Sequence, residues 1–150
     1  GKCNLKIYNG PLTDSEFNWL TKSHPGLTYI PSARLIVGKF WVNAKYRELA
    51  EITDDYEVLI HLNHGNSFPT VYETAGKIKR MAKTLNQPMS ELHVNYDGTL
   101  CLIRPDKMKY YYFRGLNIKD FMKHLETHLY WVSYFYQYGK APWVAEKHGW

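Results

Sequence analysis

The 150-residue chain has the length of one compact domain, and its 45% hydrophobic and 16% aromatic content excludes an intrinsically disordered chain. No apolar run is long enough to span a membrane and no secretory core opens the chain, so a cytoplasmic protein without a membrane partner is expected. The formal net charge of +5 permits an acidic partner, but no basic-aromatic motif supports nucleic-acid binding.

In chain order, the first signal is Leu12-Thr13-Asp14-Ser15-Glu16-Phe17, where Thr13 and Glu16 have the spacing of a capping box and Leu12 and Phe17 that of a hydrophobic staple. A helix is expected from Asp14 to Ser23, stopped by His24-Pro25-Gly26. With one aromatic given to the staple, Trp19 is left either to anchor a partner or to pack on the sheet. Segments from Arg34 to Tyr46 and from Tyr56 to Leu62, separated by Thr53-Asp54-Asp55, read as adjacent antiparallel strands. Phe68 to Glu73 reads as a third strand after the His64-Gly65-Asn66-Ser67 turn.

Ile78, Met81 and Leu85 recur at helical spacing and predict an amphipathic helix over Lys77 to Leu85. Its Lys77, Lys79, Arg80 and Lys83 read as a solvated face or a docking site for acidic groups. Asp97-Gly98 is a strong turn dipeptide, followed by an apolar run from Leu100 to Ile103 and a Tyr-rich extended segment from Lys109 to Arg114. The clearest helix comes last: Asn117 caps it, Asp120 suits its first turn, and Gly139 ends it. Ile118, Phe121, Met122, Leu125, Leu129, Val132 and Tyr136 form its core-facing stripe. His124 and His128 are four apart on that helix, but without a His-Glu-x-x-His context no metal is expected.

Chemistry concentrates around one thiol. Cys3 and Cys101 make no disulfide framework and no zinc spacing, and nothing near Cys3 would activate it. Cys101 sits between two leucines just past the Asp97-Gly98 turn, with His93 and Asn95 on the turn's other side. A Cys flanked by Leu reads as a small buried hydrophobe. The same Cys, with a histidine and an amide donor close by, also carries the parts needed for acyl transfer: a nucleophile and a group aimed at a developing oxyanion.

The stretch His93-Val94-Asn95-Tyr96-Asp97-Gly98-Thr99-Leu100-Cys101-Leu102 resembles the active-site signature of ubiquitin-conjugating enzymes, in which a His-Pro-Asn element and an Asp/Asn-Gly turn precede the thioester-bearing Cys-Leu. Phe68-Pro69-Thr70-Val71 resembles the strand before that signature. Val94 stands in place of the family's proline, and the His-to-Cys interval is shorter. The closer resemblance is to bacterial conjugating-enzyme-like proteins of antiphage operons, whose Trp-Pro/Pro-Trp…Glu-x-x-His-Gly tail is similar to Gly139-Lys140-Ala141-Pro142-Trp143-Val144-Ala145-Glu146-Lys147-His148-Gly149, with one residue rather than two between Glu146 and His148.

The resemblance implies an α+β ubiquitin-conjugating-enzyme-like fold over residues 1–150: an N-terminal helix that docks an activating enzyme, an antiparallel β-meander, an active-site loop and a long C-terminal helix. It implies that Cys101 accepts the C-terminal glycyl group of a ubiquitin-like modifier, or of a cyclic-dinucleotide synthase, and passes it to an amine. Asn95 would support the oxyanion, and His93 would order the loop or act as base. His148 would fold over Cys101 or remain a solvated terminal side chain. No metal or organic cofactor is implied, because ATP is consumed by the activating partner. A non-catalytic binding module of the same fold and a cysteine hydrolase are the rival readings, the latter lacking an assignable third residue.

Overall fold

The computed structural model describes residues 11–62, 68–102 and 117–144. Helix α1 (Asp14–Ser23) starts as its sequence dictates: Glu16 N–H donates to Thr13 Oγ1 at 3.1 Å, and Thr13 N–H donates to Glu16 Oε1 at 2.8 Å. Four antiparallel strands follow, β1 (Leu27–Ile30), β2 (Leu35–Ala44), β3 (Ile52–His61) and β4 (Thr70–Glu73), in spatial order β1-β2-β3-β4. Helix α2 (Lys77–Leu85), a 3-10 turn (Met89–Leu92) and helix α3 (Ile118–Tyr138) complete the described chain. The fold is therefore mixed α+β, with a four-stranded meander and three α-helices among the described residues, the longest of them toward the C-terminus.

Alternation along β2 and β3 sends Ile36, Phe40 and Val42, and Ile52, Tyr56, Val58 and Ile60, to one face. Against them are buried Phe121, Met122, Leu125, Leu129 and Val132 of α3, and Ile78 and Met81 of α2. Asp54 occupies the same core-facing register, opposite Val42. A carboxylate there must be satisfied. Lys77 of α2 pairs with Asp54 Oδ1, and Ser133 of α3 donates to Oδ2 at 2.7 Å. Ser133 Oγ also lies 2.7 Å from the Tyr56 hydroxyl, so one strand and two helices meet in a single polar clamp.

That clamp corrects the strand limits expected from sequence. Thr53-Asp54-Asp55, read as a separator, is the first half of β3, paired with Asn43, Val42 and Trp41, and the reversal falls instead at residues 45–51. Asp is a poor strand former, but tertiary partners override that preference here. The sequence pattern does not mark β1, because four residues give too little alternation to detect. Strand β4 begins at Thr70 rather than Phe68, after Pro69, which has no N–H to give. The turn expected at His64–Ser67 and the extended segment expected at Lys109–Arg114 lie outside the described residues.

Lys77 also leaves the solvated face assigned to it, while Lys79, Arg80 and Lys83 stay exposed. On α3 the buried face is wider than the predicted stripe, taking in His128, Tyr130, Trp131, Ser133 and Tyr134, and Tyr136 beyond it is exposed. Trp19 packs half-buried against the core with its ring edge on His24, which stacks on Phe40 at 5.2 Å. Phe17, at 45% exposure, is the aromatic that α1 leaves to solvent. Among the described residues, no helix is long and apolar enough to cross a membrane.

Gly38 faces Leu27 across the β1–β2 pair with φ +131°, and a Cβ there would overlap the Gly26 carbonyl oxygen. Strand β1 can approach β2 only because that side chain is missing. Gly38→Ala is expected to lower stability by about 2–4 kcal/mol. Gly139→Ala, at φ +72° but with open space around it, should lose only about 1–2 kcal/mol. Urea-unfolding midpoints of the two variants check this difference.

Candidate active site

The thiol is positioned by a short path from α2. Asn86, with φ +54°, ends that helix, Pro88 opens the 3-10 turn, and His93, with φ +59°, closes it. From His93 the chain enters a hairpin whose closing pair is Asn95 and Thr99: Asn95 N–H donates to the Thr99 carbonyl at 2.8 Å, and Gly98 N–H to the Asn95 carbonyl at 2.9 Å. Gly98 has φ +90°, the positive value that a three-residue hairpin loop requires at its last position. The Asp97-Gly98 turn is thus formed as its dipeptide predicts.

Asp97 stabilises the turn from within. Its Oδ1 accepts from Thr99 N–H at 3.0 Å and from the Thr99 hydroxyl at 2.6 Å, and these bonds hold its carboxyl below the usual carboxylate range. The returning strand docks on β4, where Thr99 pairs with Tyr72 and Leu100 N–H donates to the Val71 carbonyl at 2.8 Å. One residue later Cys101 N–H donates to the His93 carbonyl, also at 2.8 Å. The hairpin therefore brings His93 and Cys101 together as backbone partners.

Each nominated residue has a definite place except one. Cys101 is free and half-buried, and desolvation pushes its thiol above the ordinary value of 9.0. The His93 ring meets the Trp131 ring edge-to-face at 4.6 Å and the buried His128 ring at 6.1 Å, and burial keeps His93 below its ordinary value, hence neutral near pH 7. Asn95 is exposed, and one of its two amide N–H groups is committed to Thr99 Oγ1 at 3.0 Å. An oxyanion role falls to its second N–H or requires release of that bond. His148 lies outside the described residues.

Two residues unforeseen as site components stand behind His93. Trp131 and His128 are three apart on the buried face of α3, and no local sequence signal links them to the hairpin. His128 is fully enclosed; desolvation, with the nearby His93 second, lowers it to about 3. A separate cleft of about 700 Å³ is lined by Tyr46, Leu49, Thr127, Pro142 and Trp143, among others, and by neither Cys101 nor His93. Its hydroxyls are engaged internally, Tyr46 with Thr127 at 3.1 Å and Thr127 with the Lys123 carbonyl at 2.9 Å. The reactive group lies at the hairpin, so the hairpin is the candidate active site. No group of three or more His, Cys, Asp or Glu among the described residues is placed to hold a metal ion.

Compared with protein-family models, with curated proteins and with solved structures, the chain matches none. What the site can do must be read from its chemistry. It offers one half-exposed thiol of raised pKa, a neutral imidazole fixed by aromatic contacts, and an amide-bearing turn.

Alkylation of native Cys101 should proceed without denaturant and still be accelerating above pH 9, because only the thiolate reacts; a plateau by pH 8 would contradict the raised thiol. In acid, His128 binds a proton in the unfolded chain from about its ordinary 6.5 but in the folded chain only near 3. Its contribution is fully present above 6.5 and is lost as pH falls through that window, by roughly 1.4 kcal/mol per pH unit. Urea titrations between pH 7 and 4 should therefore show a steeper decline for the wild type than for His128→Leu, by about one proton.

Proposed function

We propose that the protein is a ubiquitin-conjugating-enzyme-like acyl carrier, with Cys101 as the thioester-forming residue. The observation that carries this reading is the placement of a half-exposed cysteine directly after a hairpin docked on the last strand of an antiparallel meander, with His93 as its backbone partner. The motif resemblance around Cys101 points to the same chemistry. The substrate is the C-terminal glycyl group of a ubiquitin-like modifier or of a cyclic-dinucleotide synthase, in a bacterial antiphage setting.

In the first step the Cys101 sulfur attacks the glycyl carbonyl of the activating partner's thioester. A new C–S bond forms, the partner's thiolate leaves, and it takes up the proton given up by Cys101. In the second step an acceptor amine attacks the same carbonyl, a C–N bond replaces the C–S bond, and the thiol is regenerated. A thiol of raised pKa suits a carrier, because its thiolate is a reluctant leaving group and the acyl group is retained until the amine arrives. His93, neutral and clamped, orders the loop in this scheme. A cysteine hydrolase would instead draw the thiol down beside an imidazolium, the opposite of what desolvation does here.

The raised thiol equally suits a non-catalytic binding module of the same fold, and one experiment separates the two. Incubation with the modifier, its activating enzyme and ATP should raise the intact mass by one modifier, and thiol reductant should reverse the gain. Cys101→Ser should give an ester that survives reductant. No Cys101-dependent adduct with the cognate partners would leave the binding module as the reading.

A further inference from the structure

We propose that Trp131 is a positioning residue for the Cys101 thiol, acting through the backbone of His93. The inference deepens the carrier reading, on which its functional meaning rests. His93 holds φ +59°, a conformation that non-glycine residues rarely adopt and that its surroundings must enforce. Its carbonyl, oriented by that conformation, accepts the Cys101 N–H at 2.8 Å. Its backbone N–H caps the 3-10 turn by donating to the Ser90 carbonyl at 3.1 Å, and its imidazole is gripped by the Trp131 indole, edge-to-face at 4.6 Å and 83°.

Trp131 is itself immobilised. It is 4% exposed, its Nε1–H donates to the Trp143 carbonyl at 3.3 Å, and its ring lies 5.1 Å from Phe135. Trp143 in turn stacks on Tyr130 with an interplanar angle of 3°. For His93 to leave its left-handed conformation, its ring must slide off an indole that is fixed on its other sides. Leu100, one residue before the thiol, is tethered separately to Val71 of β4, whereas Cys101 N–H is held by His93, the residue whose ring meets Trp131.

Amide hydrogen exchange of the folded protein tests this, with the Leu100 N–H as internal reference. Trp131→Leu should speed exchange at Cys101 about tenfold relative to Leu100, whereas Trp131→Phe, which keeps an aromatic ring against His93, should stay within about twofold of wild type. His93→Ala removes the same contact from a half-buried position and should reproduce the Trp131→Leu effect. The double variant should be no faster than either single one. Equal acceleration at Cys101 and Leu100 in Trp131→Leu would mean a general loss of stability and overturn the proposal. So would unchanged Cys101 exchange in His93→Ala, or multiplicative effects in the double variant.

These readouts need no partner protein. If they hold while no Cys101 adduct ever forms, the carrier reading fails and the positioning of the thiol stands. If they hold and an adduct forms, Trp131→Leu should slow its formation, and Trp131→Phe should restore it.

Discussion

The constraint on which the rest of the structure depends is the carboxylate of Asp54 on the inner face of the sheet. Left alone it would be an unpaired charge beside an apolar core, a far larger penalty than any nearby packing contact could offset. Its satisfaction requires Lys77 from one helix and Ser133 from another, and the Tyr56 hydroxyl closes the set. Lys77 also lies over the Tyr56 ring at 4.4 Å and donates to the Asp55 carbonyl, so the first residue of α2 is held at three points. Helix α2 leads directly into the 3-10 turn and then to His93, so the point where it is pinned determines where the thiol hairpin emerges.

The hairpin and the clamp obey one rule at different depths: each polar group that leaves water finds a partner nearby. In the turn, the Thr99 hydroxyl donates to Asp97 and accepts from Asn95, using both of its capacities. In the clamp, Ser133 does the same for Asp54 and Tyr56. Desolvation governs the titrating groups behind the hairpin instead, lowering the imidazoles of His93 and His128 below their ordinary value. The Cys101 thiol is likewise raised by desolvation, while its backbone N–H is held by the His93 carbonyl.

How much of this was legible in the sequence depended on the range of the interactions involved. The three helices could be read closely, because Thr13 with Glu16, Asn117 with Asp120, and the Ile78–Met81 spacing are signals within a few residues. The Asp97-Gly98 turn was legible for the same reason. Asp54 misled because its strand conformation is secured by residues more than twenty positions away, and Tyr136 misled because periodicity carries no information on where packing ends. Within the site, Cys101, His93 and Asn95 could be nominated from their proximity in sequence. The bond that commits Asn95 to Thr99, and the indole that grips His93, depend on geometry that proximity does not encode.

The two residues before the thiol have a second consequence, for solubility. Strand β4 ends the meander, and its outer row of backbone groups would be open to pairing with a strand from another molecule. Thr99 and Leu100 lie along that row, with Leu100 N–H bonded to Val71 and Thr99 paired with Tyr72. The loop that carries Cys101 therefore also covers this part of the outer edge of β4. Loss of this loop's contacts would open the Val71–Tyr72 backbone to intermolecular β-pairing, so the residues that lead to Cys101 also bear on aggregation.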